Sequence, residues 1–234
     1  MRLMVIDTTL GLCTAGVFEV CGAAGAGGAD PRRLGLRSEP MVKGHSERIA
    51  GFARDAAAEA GVGFADLDRI GVTVGPGSFT GLRVGLAFAQ GLAAALNRPL
   101  VGLSALDALA ASVDAAPASA ALIDARRGQV YARFWRDGVA EGPAEALTLE
   151  TAADRIGRMG SGAVLVGSGA PLFAEIAPGA ARRALEGPAP EALARLAAAA
   201  DPRLGPARPL YLRAPDATPP TRLPGQARTP ATMS

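Results

Sequence analysis

The stretch TVGPGSFTGLRVGLAFAQG, residues 73 to 91, gathers residue types that bind phosphate. Five glycines, Ser78 and Thr80 lie where an apolar run meets a long apolar helix pattern. Such turns expose backbone N–H groups that can cradle an anion. The spacing excludes both standard nucleotide loops. A Walker A loop needs a lysine to reach the terminal phosphates, but only three residues separate Gly77 from Gly81, and Leu82 stands where the lysine should be. The dinucleotide fingerprint fails too, because Thr80 occupies the place of its third glycine. What remains is a strand, a sharp turn and a helix N-terminus. That end suits anion binding or, more simply, a helix capped by Ser78 or Thr80 after a turn shaped by Pro76 and the glycines.

Metal chemistry has little to draw on. His45 is the single histidine, so ligation through two histidines is impossible, and no Cys/His cluster has zinc spacing. With Glu47 close by, His45 reads as a helix-start residue. Cys13 and Cys21 fall on one predicted strand, some ~26 Å apart at about 3.3 Å per residue, which rules out a disulfide between them. Free thiols, no signal-peptide pattern and no apolar run of about 18 residues predict a cytoplasmic protein without a membrane span.

Hydrophobic periodicity supplies the elements that must position these residues. Strands are predicted at 3–6, 12–20, 33–40, 69–75, 99–103 and 163–167, with a hairpin at 119–135. The glycine-rich run 21–30 reads as a hairpin tip. A helix from Ser46, its predicted N-cap, to Ala60 carries Ile49, Phe52, Ala53, Ala56 and Ala60 on one face. Further helices are predicted at 104–113 and 190–200. The helix from Ser78 to Asn97 has two apolar stripes: Leu82, Leu86, Ala89, Ala93 and Leu96, then Val84, Phe88, Leu92 and Ala95. Only Arg83 and Gln90, one heptad apart, break its apolar surface. A helix apolar nearly all round is buried on two sides. One reading is a helical docking surface shared with the 46–60 helix, with candidate contacts Ile49, Phe52 and Ala56 on the first and Leu82, Arg83, Leu86, Ala89, Gln90 and Ala93 on the second. Gly81 and Gly85 would let the neighbouring helix approach closely. The other reading is a fully internal helix of a three-layer α/β domain.

Composition narrows the function. The chain has 234 residues, 49% apolar and only 4% aromatic, so its core is built from Ala, Leu and Val. A net charge of +2 with intermixed signs excludes the concentrated basic field of a protein that grips nucleic acid unaided, while allowing a contribution within a complex. IDTTLGLCTAGVF at Ile6 and IDARRGQVYARFW at Ile123 echo each other 117 residues apart, half the chain, which suggests two related lobes. Residues 205–213, GPARPLYLR, read as an extended arm packing through Leu210, Tyr211 and Leu212, and from Ala214 onward a disordered tail is expected.

The runs VIDTT, GHSERIA, VGPGSFTGLRVGLAFAQGLA, LSALDALA, IDARRGQVY and PLYLR resemble the TsaB (YeaZ) family over residues 1 to 213. The resemblance implies an α/β fold of the actin-like (ASKHA), duplicated ribonuclease-H-like type, with two lobes of mixed sheets flanked by helices, at 1–105 and 106–213. It implies a non-catalytic accessory role in forming tRNA N6-threonylcarbamoyladenosine, with a TsaD-like transferase and a TsaE-like ATPase as partners and tRNA met through the complex. It also implies a homodimer when alone, built on the two N-terminal helices. The histidine pair of the TsaD-like relatives is missing, so no catalytic residue and no metal are assigned. In nucleotide-binding members the hairpin aspartates hold metal-phosphate, which makes Asp7, Thr8, Thr9 and Asp124 the candidate cofactor residues. Arg126 and Arg127 stand where those relatives commonly have glycines, so no cofactor is expected of the chain itself, and ATP or ADP is expected only at the interface of a complex. The simpler role for both aspartates is to satisfy turn N–H groups. Competing functions are a small ATPase or kinase using those aspartates, and a glycoprotease-like peptidase, which the missing ligands disfavour.

Overall fold

Two hairpins that open alike organise the molecule. The computed structural model describes residues 1–21, 30–160 and 162–213. The glycine-rich tip predicted after Cys21 and the tail predicted from Ala214 lie outside them. β1 (Arg2–Asp7) pairs antiparallel with β2 (Leu12–Glu19), and β3 (Arg32–Pro40) extends the sheet beyond β2. The chain then runs through α1 (His45–Ala60), β4 (Arg69–Gly75), α2 (Phe79–Leu96), β5 (Leu100–Ser104) and α3 (Ala105–Ala110). β4 lies parallel to β1 and β5 parallel to β4, giving the order β3-β2-β1-β4-β5.

The second half repeats this plan. β6 (Ala118–Arg126) and β7 (Gln129–Arg136) form the hairpin, and β8 (Val139–Ala140) and β9 (Glu145–Thr148) pair with the outer edge of β7. α4 (Leu149–Gly157) leads to β10 (Val164–Val166), parallel to β6, and β11 (Ala181–Arg183), parallel to β10; α5 (Pro190–Ala199) follows. The echo at Ile6 and Ile123 is therefore a repeated topology, and the fold is the expected two-lobe, actin-like one.

Local signals place the helices. α1 begins one residue earlier than predicted, and its N-cap is Gly44 at φ 88°, not Ser46. The left-handed turn at Gly44 swings the chain into the helix, so His45 enters first, with its side chain buried. Gly61, at φ 63°, ends α1 by returning its N–H to Ala57 and Ala58. Ser78 caps α2, its Oγ accepting from Gly81 N–H at 3.2 Å, and left-handed Asn97 closes it. α2 is long and apolar enough to cross a membrane by length and composition. In this molecule, however, Leu86 and Ala89 pack with Ile49 and Phe52 of α1 over Met4, Ile6, Ile70 and Val72 of the sheet. Burying each such leucine or isoleucine contributes about 2 kcal/mol.

The opposite faces are covered crosswise. Leu193, Ala194 and Ala197 of α5 pack on Leu3, Val5 and Phe18 of the first sheet. Leu106 and Leu109 of α3 pack on Ala121, Ile123 and Val166 of the second. Arg69 at the start of β4 fixes the exchange by donating through Nη1 to the carbonyls of Ala197, Ala198 and Ala200, at 2.7, 3.0 and 2.8 Å, the C-terminal end of α5.

Candidate functional site

The two hairpin aspartates do the same local job. Asp7 Oδ1 accepts from Thr9 N–H at 3.0 Å, and Asp124 Oδ1 accepts from Arg126 N–H at 2.8 Å. Each carboxylate closes the turn that follows its strand. Asp7 Oδ1 also accepts from the hydroxyls of Thr9 at 2.6 Å and Thr73 at 2.5 Å, while its Oδ2 is buried without a hydrogen-bond partner. Thr8 ties the turn to α2 by donating to Gly81 O at 2.7 Å. Asp7, Thr8 and Thr9 are all buried. Asp124 Oδ2 pairs with Arg126 Nη1 at 3.2 Å, with the arginine in a left-handed turn at φ 62°. Each carboxylate therefore has one oxygen committed to its own turn, while Asp7 Oδ2 is left unpartnered in the core. The Cys13 thiol is pushed up to about 11, chiefly by burial and then by the Asp7 charge.

An interlobe cleft of about 980 Å³ opens above these turns, with Thr9, Ser78 and Phe79 on one wall and Asp124, Arg126 and Tyr131 on the other. The predicted arm closes one side of it. Leu210 N–H donates to Val74 O at 2.7 Å, Gln90 Nε2 to Ala207 O at 3.3 Å, and Arg83 Nε to Tyr211 Oη at 3.0 Å. On the second lobe, Arg213 Nη1 donates to Ala125 O at 3.1 Å. One strap therefore bridges both lobes. Arg83 and Gln90, the two polar interruptions of α2, are its anchors.

The docking surface read from sequence needs correction. Ile49, Phe52, Ala56, Leu82, Leu86, Ala89 and Ala93 are all buried in this chain, so they cannot be contacts on its surface. The first stripe of α2 packs on the sheet because Gly81 and Gly85 lie on that side. There they admit Thr8 rather than another helix: a Cβ at Gly81 would stand 2.0 Å from Thr8 O, and one at Gly85 2.3 Å from Thr8 Oγ1. Only Arg83 and Gln90 of the candidate contacts are exposed. The outward face carries the second stripe, with Val84, Phe88 and Leu92 half-buried and Ala87, Gly91 and Ala95 exposed. Gly91, and Gly51 on α1, have nothing within 4 Å of where a Cβ would stand. On α2 this outward face is apolar, and Gly91 leaves room on it for another backbone to come close.

Among the described residues, no group of three or more His, Cys, Asp and Glu side chains is arranged to hold a metal ion. The family model for TsaD, tRNA N6-adenosine threonylcarbamoyltransferase, matches residues 33–159. An uncharacterized protein of Mycobacterium tuberculosis is 35% identical over 222 residues, covering 93% of this chain and 94% of its own. The tRNA threonylcarbamoyladenosine biosynthesis protein TsaB of Escherichia coli is 31% identical over 141 residues, 58% of this chain and 56% of that one. The structure of YeaZ from Pseudomonas aeruginosa superposes with a TM-score of 0.70 at 28% identity, covering 90% of this chain and 99% of that chain. A shared two-lobe fold, a family model over more than half the sequence and similarity to TsaB and YeaZ agree: this chain belongs to the TsaB (YeaZ) family of TsaD-related proteins.

Proposed function

We propose that this chain is a non-catalytic accessory subunit in the formation of tRNA N6-threonylcarbamoyladenosine, and that it holds and activates a TsaD-like transferase in the cytoplasm. The observation that carries this reading is the open face of α2, beside α1, where Phe88 and Leu92 sit half-buried beside exposed Ala87, Gly91 and Ala95. A helix pair of this kind buries its remaining apolar area against a partner helix pair. Alone, two copies meet there about a two-fold axis. In the complex the transferase takes the second copy's place, and a TsaE-like ATPase joins the pair. ATP or ADP belongs where the partner meets this chain.

Reconstitution of tRNA modification from the transferase, the ATPase and the threonylcarbamoyl donor tests the reading. Modification should depend on adding this chain, and Phe88→Glu should abolish both the modification and the complex while leaving the fold intact. Modification that runs equally fast without the chain refutes the proposal.

A further inference from the structure

We propose that the mouth of the interlobe cleft binds an unpaired nucleotide of RNA, with its base stacked on Phe79 and Tyr211 and its phosphate near Arg126. The inference rests on the tRNA-modifying role proposed above. Among the described residues, three of the eight exposed large hydrophobic side chains meet at this mouth: Val42 at 91% exposure, Phe79 at 50% and Tyr211 at 48%. The two rings lie 5.6 Å apart and tilted by 32°. The Arg83 guanidinium sits 3.6 Å from the Phe79 ring centre and is held there by its bond to Tyr211 Oη. Rings and a guanidinium fixed at an open edge form the platform on which unstacked bases lie.

Charge selects the kind of ligand. Arg83, Arg126 and Arg213 line the cleft against Asp124 and Glu186, and the side chain of Arg126 is 85% exposed on the facing lobe. Lys43 and Arg208, both exposed, neighbour the lining residues Val42 and Leu210 in sequence. An anion carrying a planar ring fits this combination better than an acidic or purely apolar segment does. Arg126 stands at the exposed edge of the cleft beside Asp124, so a phosphate meets it at the mouth, where a strand can run on in both directions. A duplex, with its bases stacked inside, cannot offer one to the platform.

Fluorescence anisotropy of the full chain with a labelled RNA stem-loop, and with the same strand as a blunt duplex, tests the site. The stem-loop should bind at least about tenfold more tightly than the duplex. Phe79→Ala and Tyr211→Ala should each weaken loop binding by about tenfold, as expected for one lost base stack. Tyr211→Phe should keep most of the affinity, and Arg126→Ala should lower the salt slope by about 0.7. Thermal unfolding of each variant separates lost binding from lost fold. Equal binding of loop and duplex, or an unchanged affinity in Phe79→Ala, overturns the site. Displacement by free AMP at concentrations matching the RNA assigns it to a free nucleotide instead. Loss of transferase binding with RNA binding intact in Phe79→Ala assigns it to a protein. Restored modification without loop binding refutes this site alone, whereas loop binding without restored modification refutes the accessory role.

Discussion

Gly81→Ala places a methyl group where the turn after β1 touches α2. The added Cβ would stand 2.0 Å from Thr8 O, whereas ordinary contact begins at 3.4 Å, so backbone must move by more than an ångström. That movement also pulls Thr8 Oγ1 from its 2.7 Å bond to Gly81 O, inside the core. Overpacking of this kind costs about 1–3 kcal/mol, and a broken buried hydrogen bond about 1–2 kcal/mol. The higher helix propensity of alanine offsets at most ~1 kcal/mol. The net loss is about 1–4 kcal/mol, a fall in melting temperature of roughly 2–16 °C at about 2–4 °C per kcal/mol. Gly85→Ala meets the Thr8 hydroxyl and no backbone, so it costs the bond to Gly81 O without the backbone shift and should lose less. Gly91→Ala meets nothing within 4 Å and should gain about 1–4 °C, yet weaken binding of the transferase by filling the open face. Circular dichroism melts of the three variants give the ranking directly. A Gly81→Ala protein that melts at or above the parent refutes the close approach of Thr8 to α2.

Other perturbations separate structural from functional roles. Leu86→Glu buries a carboxylate in the first lobe's core and should abolish the cooperative melt, unlike Phe88→Glu on the open face. Asp7→Asn retains an acceptor for Thr9 and Thr73, so its melt should lie closer to the parent's than that of Asp7→Ala, and modification in the reconstituted system should persist. Loss of modification in a folded Asp7→Asn protein would argue for a metal-phosphate role. Arg69→Ala frees three carbonyls at the end of α5 and should cost about 2–3 kcal/mol in urea unfolding. Cys13 stays protonated in the fold while an unfolded thiol ionises near 9.0, so its contribution to stability is present below that pH and fades as pH rises toward about 11. At pH 8 a thiol reagent should modify exposed Cys21 quickly and buried Cys13 only after denaturation.

Much of this fold could be read from apolar periodicity, because β1, β4, β5 and β10 are buried apolar runs and α1, α2 and α5 repeat at helical spacing. What escaped has little apolar signal. α4 buries only Ala152 and Ile156, β11 is the edge strand Ala-Arg-Arg, and β8 is two residues long. The choice between the two stripes of α2 was hidden because both are apolar. One cue was present: Gly81 and Gly85 share a face with Leu82 and Leu86, and glycines spaced one turn apart mark the side that backbone approaches. The strap was visible as PLYLR, but its link to Arg83 and Gln90 spans more than a hundred residues of sequence, beyond any local pattern.

The exchange of α3 and α5 between lobes has a consequence for the order of synthesis. Leu3, Val5 and Phe18 leave the ribosome first, yet their cover, Leu193 to Ala197, leaves near the end. At about 5–20 residues per second, the first sheet waits some ~5–20 s with an apolar face open to water. A fragment ending after α3 would keep that face open permanently. The nascent chain, more than the finished protein, is therefore the form in which this apolar face meets water.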